Sequence, residues 1–302
     1  MKVAIAGGTG FIGKHLTQYF LDKKTTVLLI SRQKHKSEHP LIRNITWEEL
    51  EKSVKPIDGV DAIVNLAGET INQRWTPKAK ERILQSRLDS VERVRSIIER
   101  MENKPVLINA SAVGIYGSSE NASFTEDSDL NVNDFLSNVA DKWEAAAELI
   151  PDIRVVLLRI GVVLAKDGGA FPKMSLPFKF GLGGRIGSGK QLLSWIHIRD
   201  LVRLIEFCIE KEDIEGPVNA TAPQPVTNDE FGRQLAKFMN KPYGFPLPSF
   251  VLKLMFGEMS MLLLEGQRVI PDVAINQGFQ FHFPVLEMAL KDLLDPEIKA
   301  VK

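Results

Sequence analysis

The residues best suited to chemistry stand at the start of the chain. Residues 1–13 read MKVAIAGGTGFIG. An apolar run, Val3 to Ala6, leads straight into Gly7, Thr9, Gly10 and Gly13. The G-x-x-G-x-x-G spacing is a variant of the glycine fingerprint that follows a strand and opens a helix. Gly7 permits a tight turn, Gly10 lets the backbone approach a pyrophosphate with no Cβ in the way, and Gly13 lets the new helix pack closely on the sheet. The chemistry is anion binding, by backbone N–H groups and the positive end of a helix. A second signal follows the next apolar run, TVLLI, which ends in Ser31-Arg32 with no acidic residue at its tip. A carboxylate at this point would hold a ribose 2′-OH and repel a 2′-phosphate. Here a hydroxyl and a guanidinium are offered, followed by Lys34 and Lys36. Arg32 can grip a phosphate with two donors. The pattern predicts a dinucleotide cofactor, NADP(H) in preference to NAD(H). The alternative is that Arg32 and the lysines form a solvated loop.

These groups need elements to position them. The apolar runs predict strands over 3–6, 26–30, 62–66, 106–110 and 155–160. Helical periodicity predicts helices over 11–22, 47–54, 77–101 and 137–149. Pro77 and Pro105 punctuate the longest of these. Strands with continuous apolar runs, alternating with helices, imply an α/β protein with a parallel sheet covered on both faces. The expected architecture is a Rossmann-type doubly wound sheet over 1–164, with a smaller C-terminal α/β substrate region over 165–302 interleaved with it. Residues 166–190 are rich in Gly, Pro and Lys and read as a long functional or mobile loop. Helices over 198–210 and 228–239, a short strand over 218–221, Pro-punctuated helices from 246 and a charged frayed tail complete the chain.

The 302 residues suffice for a large core. Lys and Arg total 38, as do Asp and Glu, so the formal net charge is zero and nothing argues for a nucleic-acid partner. The stretch from Phe250 to Leu264 is broken by Lys253, Gly257 and Glu258, which excludes a clean membrane span. No leader pattern precedes the first strand, so a cytoplasmic protein without a membrane partner is expected. Cys208 is the only cysteine; its apolar neighbours make it a core filler, and no His/Cys/Asp/Glu cluster has metal spacing.

The glycine turn, NLAG at 65–68, SAVGIYG at 111–117 and WIHIRD at 195–200 together resemble the extended short-chain dehydrogenase/reductase family, in its NAD-dependent epimerase/dehydratase branch. NLAGETINQRWTPKAKERILQSR, LRIGVVLAKDGGAFPKM and FGEMSMLLLEGQRVIP resemble an atypical, uncharacterised subfamily with a C-terminal extension of unknown function. The resemblance implies that Gly7, Gly10, Phe11, Ile12 and Gly13 hold the pyrophosphate, with Thr9 in the same turn. It sets Ser31 and Arg32 against the adenosine 2′-phosphate and Leu66, Ala67 and Gly68 along the adenine-ribose side. Ala110, Ser111 and the segment after Ile160 approach the nicotinamide, and Glu69 contacts cofactor or substrate.

Working members of the wider family use a Ser and a Tyr-x-x-x-Lys pair, the lysine pulling the tyrosine toward a usable pKa. Ser111 stands at the serine position. The chain has three tyrosines, Tyr19, Tyr116 and Tyr243, and none lies in the helix where the pair is expected. In SNVADKWEAAAE, residues 137–148, either Asn138 and Lys142 or, one residue on, Val139 and Trp143 take the pair's place. Ser111, Tyr116 and Lys142 are therefore the candidate catalytic residues, with Glu144 as another proton donor or an exposed helix residue. His197 is expected to pack the substrate half onto the core, and Lys179, Arg185 and Lys190 to bind an anionic substrate or to be solvated. The expected function is an NADP(H)-dependent oxidoreductase or nucleoside-diphosphate-sugar-epimerase-like enzyme of unknown small-molecule substrate. The alternative is a noncatalytic NADP(H)-binding redox sensor or regulator. Monomer or dimer is left open.

Overall fold

Seven short segments with apolar centres pair side by side to form the frame. They are β1 (Lys2–Ala6), β2 (Thr26–Ser31), β3 (Ile42–Thr46), β4 (Ala62–Asn65), β5 (Val106–Ala112), β6 (Val155–Ile160) and β7 (Gly216–Ala220). The computed structural model describes residues 1–34, 37 and 39–295; Lys36 and the charged tail from 296 lie outside the described residues. All sheet pairings are parallel, in the spatial order β3-β2-β1-β4-β5-β6-β7. Parallel strands need covering helices on both faces, and the sequence supplies them. On one face lie α1 (Phe11–Asp22) and α6 (Ile198–Glu210), packing Leu16, Phe20, Leu201 and Ile205 over Val3, Ile5 and Ile108. On the other lie α2 (Trp47–Lys52), α3 (Pro77–Glu99) and α4 (Phe135–Glu148), packing Leu50, Val91, Ile98, Trp143 and Ala147 over Ala4, Ile63 and Leu107. The strand order reverses between β1 and β4, the topological switch point where such sheets bind ligands at the strands' carboxyl ends.

The last sheet strand, β7, comes from beyond residue 164. A second lobe is built from α5 (Phe171–Lys179), α7 (Asn228–Phe238), α8 (Ser249–Phe256), α9 (Met261–Leu264) and α11 (Leu286–Leu294), while α10 (Asp272–Asn276) packs Ala274 into the core beside β7. Its own core joins Phe171, Phe178, Trp195, Phe231, Leu235 and Leu290. α5 lies within the stretch read from sequence as loop; Pro172 in its first turn is compatible with helix, although Pro177 sits inside it. β3, missed by periodicity, is a half-exposed edge strand pairing Val27–Ser31 with Ile42–Thr46.

The C-terminal segment straps the two lobes together. Met259 and Met261 pack with Trp75, Ile83 and Val139. Arg268 and Val269 pair with Ser123 and Phe124. Farther on, the N–H groups of His282 and Phe283 donate to the buried Asp200 carboxylate at 2.9 and 2.8 Å.

Candidate functional site

The glycine turn closes on itself and on β4. Gly10 N–H donates to Gly7 O at 2.9 Å. Gly7 has φ +80°, and a Cβ there would lie 2.8 Å from the Leu66 carbonyl carbon and oxygen. A Cβ on Gly13 would lie 2.4 Å from Gly7 O. Only glycine fits at these points. No side chain caps α1 at Gly10, and no acidic residue occupies its first turn. The helix start is thus open to an anion, between the ends of β1 and β4. Thr9 is exposed there, and Ile12 is half-buried. The Phe11 ring lies under the loop at Gly168 and Gly169, where added Cβ atoms would come within 2.5 and 2.7 Å of it. Phe11 therefore offers the cleft its backbone, while its ring anchors that loop.

At the end of β2, Ser31 Oγ donates to Gln33 O at 2.5 Å. Arg32 is exposed, and Lys34 is engaged by Glu49 at 3.0 Å. Across the cleft, Glu69 is held by Gln73 and Arg82; their hydrogen bonds hold its carboxyl below the usual range, and the Arg32 charge adds to this. Ala67 N–H donates to Asn65 Oδ1 at 3.3 Å, and Asn65 Nδ2 donates to Asn109 Oδ1 at 2.8 Å and to Ser90 Oγ at 3.2 Å. These buried amides lock the ends of β4 and β5 beside Leu66, Ala67 and Gly68. Ala110 is buried, and Ile160 is half-buried at the end of β6.

Ser111 and Tyr116 belong to one buried polar chain. Ser111 Oγ donates to Glu144 Oε1 at 2.5 Å. Arg159 grips Glu144 with two donors, Nε to Oε1 at 2.9 Å and Nη2 to Oε2 at 2.8 Å, both side chains being 5% exposed. Arg159 Nη1 donates to Tyr116 Oη at 2.8 Å, and Tyr116 Oη donates to Asn219 Oδ1 at 2.8 Å. Asn219 N–H and Asp272 N–H both donate to the buried Glu126 carboxylate, at 2.9 and 3.0 Å. Burial lowers the Arg159 guanidinium, but the Glu144 hydrogen bonds outweigh it and hold Arg159 above its usual range. Burial raises Tyr116, although Arg159 and Asn219 oppose this. Glu144 is therefore not the exposed helix residue that its sequence context suggests.

On α4 the inward pair is Val139 and Trp143, both buried. Lys142 is exposed, and the structure does not bring it to Ser111 and Tyr116. The Trp143 indole Nε1 is buried without a hydrogen-bond partner. Arg87 on α3 lies over the Trp143 ring at 5.0 Å. Arg87 donates only to backbone carbonyls, Ile83 O at 2.8 Å and Glu69 O at 3.1 Å. A Cβ on Gly68 would lie 3.2 Å from the Arg87 side chain. Burial pulls Arg87 down to about 10, with the Glu69 carboxylate opposing. Sequence reasoning missed Arg87 and Arg159. The latter was visible as a lone arginine in VVLLRI, since a charge inside a buried strand needs a partner.

His197 caps α6, its Nδ1 accepting from Arg199 N–H at 3.2 Å, and lies against Phe283 and Asp292 from the C-terminal segment. Cys208 is buried on α6. Among the described residues no group of three His, Cys, Asp or Glu side chains is placed to hold a metal ion, and no helix is long and apolar enough to cross a membrane.

A parallel sheet in this order, with a glycine-lined helix start at its switch point, defines a Rossmann-type dinucleotide-binding fold. The chain belongs to the NAD dependent epimerase/dehydratase family, whose model matches residues 3–220; a domain of unknown function (DUF1731) matches residues 247–293. It is 42% identical over 300 residues to the epimerase family protein YfhF of Bacillus subtilis, covering 97% of this chain and 98% of that one. The crystal structure of the human epimerase family protein SDR39U1 with NADPH is 40% identical and superimposes with a TM-score of 0.90, covering 97% of this chain and 99% of that one. A nucleoside-diphosphate sugar epimerase from Corynebacterium glutamicum is 30% identical with a TM-score of 0.77, covering 96% of this chain and 57% of that one.

Proposed function

We propose that this chain is an NADPH-dependent oxidoreductase of epimerase type, acting on a small carbonyl compound with no Tyr-x-x-x-Lys pair on α4. Residues 1–164 hold the cofactor, and 165–302 complete the substrate cleft. The observation that carries this reading is the glycine cradle, too tight for any Cβ at Gly7 or Gly13, opening on an uncapped helix. The SDR39U1 relative, described with NADPH, supports the phosphate-bearing cofactor.

NADPH would supply a hydride to the carbonyl carbon. The amides of Gly10, Phe11 and Ile12 would hold its pyrophosphate, and Ser31 and Arg32 would meet its 2′-phosphate. Leu66, Ala67, Gly68 and Glu69 would border its ribose. Ala110, Ile160 and Ser111 line the end reached by the reacting ring. Arg87, over the Trp143 ring on α4 and so next to the Glu144 that holds Ser111, has no carboxylate bonded to it and is suited to stabilise an oxyanion at that end. Tyr116 and Ser111 are committed to buried bonds and position the floor of the cleft; exposed Lys142 takes no part in this scheme.

Calorimetric titration with NADPH and then NADH tests the cofactor assignment. Arg32→Ala should weaken NADPH by about 1.5–3 kcal/mol, as for a hydrogen bond to a charged group, and leave NADH nearly unchanged. Equal losses for both cofactors refute the 2′-phosphate assignment. The second reading, an NADP(H)-binding sensor, is favoured by the engagement of both Ser111 and Tyr116 in structural bonds. Tight NADPH binding with no NADPH oxidation across a panel of metabolite carbonyls would select it.

A further inference from the structure

The second lobe carries an apolar face with no partner in the fold. α8 reads SFVLKLMF, yet only Leu252 is buried. Phe250 is 69% exposed and Leu254 86%, with Met255 and Phe245 also open to solvent. Every residue from 244 to 250 is exposed, so this segment protrudes and forms no groove. It is zipped to the segment after α5: Gly244 N–H donates to Gly183 O at 3.0 Å, Leu247 N–H to Arg185 O at 2.8 Å, and Gly187 N–H to Leu247 O at 2.9 Å. That segment adds Phe180, 74% exposed, and Leu182 to the same face. Monomeric proteins rarely leave contiguous apolar surface of this kind without use.

The charges interleaved with these side chains are of one sign. Residues 171–190 contain Lys173, Lys179, Arg185 and Lys190 and no acidic residue; residues 237–256 contain Lys237, Lys241 and Lys253 and no acidic residue. The nearby acids are each paired, Glu258 with Lys80 and Asp229 with Arg233 and Tyr243. A second copy docking through this face about a two-fold axis would set cations against cations. A small ligand would need a concavity. A surface that is apolar below and anionic above fits both features: phenyl and leucyl side chains enter the acyl boundary while lysine stems reach back to phosphate headgroups.

We propose that the face built from α8 and residues 176–187 and 242–248 docks peripherally on an anionic phospholipid bilayer. Such contact needs no spanning helix. It leaves the glycine cradle, on the other lobe, free for cofactor.

Co-sedimentation of the full chain with phosphatidylglycerol/phosphatidylcholine vesicles, and with pure phosphatidylcholine vesicles, tests this. Partitioning onto the anionic vesicles should be at least tenfold stronger and should weaken as salt rises. Phe250→Ser/Leu254→Ser and Lys179→Glu/Lys253→Glu should each lose at least fivefold, with thermal melts and NADPH titrations unchanged because all four side chains are exposed. Absent binding, equal binding to both vesicle types, or full binding by either double variant overturns the proposal. A dimer in light scattering that Phe250→Ser/Leu254→Ser converts to monomer also overturns it, because a second copy would then be the occupant.

Discussion

Replacing Glu144 by glutamine tests whether the polar chain under the cleft is a structural unit. Glu144 accepts from Ser111 and twice from Arg159, and both charged side chains are 5% exposed. Glu144→Gln conserves shape but leaves the Arg159 guanidinium buried without an anion. Breaking a buried pair from one side costs about 3–5 kcal/mol, because the remaining charge stays desolvated. With 302 residues at roughly 2.1 cal/mol/K each, the unfolding entropy is about 0.6 kcal/mol/K, so Tm should fall by about 5–8 °C. The double variant Glu144→Leu/Arg159→Met removes both charges and should recover most of that loss, because the expensive species is the orphan and not the absent pair. Differential scanning calorimetry of wild type, Glu144→Leu, Arg159→Met and the double variant closes the cycle, with Glu144→Gln measured beside them. A Glu144→Gln shift below about 2 °C, or a double variant no better than the worse single, refutes the reasoning.

Other expectations follow from neighbouring parts of the site. Gly13→Ala drives a Cβ to 2.4 Å from Gly7 O, so stability should fall by about 1–3 kcal/mol and NADPH affinity with it; a variant that binds and melts like wild type would disprove the close-packing argument. Arg87→Met should leave the NADPH Kd within about threefold while lowering turnover about 100–1000-fold, the scale for losing one oxyanion donor; a reversed split would make Arg87 a cofactor ligand. Burial lowers the His197 pKa, with Asp292 opposing. The unfolded chain therefore takes up this proton first, and stability falls as pH drops below about 6.5 toward the depressed folded value. Between pH 7.5 and 5.5 the wild type should lose more Tm than His197→Asn, and parallel profiles would remove His197 as the cause. Asp292 titrates below this window, since His197 and Arg199 outweigh burial and hold its carboxyl low.

Much of this arrangement is legible in the sequence because period and punctuation are local signals. The 11–22 and 198–210 helices and the 155–160 strand are observed as expected, and the strand expected over 26–30 runs one residue further, to Ser31. The glycines announce a turn that tolerates no side chain. What stays hidden depends on partners distant in sequence. Glu144 reads as a surface helix residue until Arg159, 15 positions on, is brought against it. The choice between Asn138/Lys142 and Val139/Trp143 is a 100° rotation of one helix, which α3 packing decides by burying Val139 and Trp143. The exposure of the apolar stretch from Phe250 is hidden in the same way, because it is set by the lobe beneath it.

The polar chain gives this hidden part a single meaning. It begins at Ser111 on β5, passes through Glu144, Arg159 and Tyr116, and ends at Asn219, whose Nδ2 donates to Ile270 O at 2.9 Å on the C-terminal strap. Each member is buried and each shares its bonds with the next, so removing one leaves another unpaired. Ser111, at the family's serine position, and Tyr116 are thus tied into bonds that run to the C-terminal extension. Arg87, beside Gly68, and the Trp143 indole that it covers stand apart from that chain, as donors without an acidic or hydrogen-bonded side-chain acceptor. If the protein turns over a carbonyl substrate, the charge that develops must be met by such donors. A chain that binds NADPH tightly while Arg87→Met changes nothing would therefore be a sensor built on an enzyme's fold.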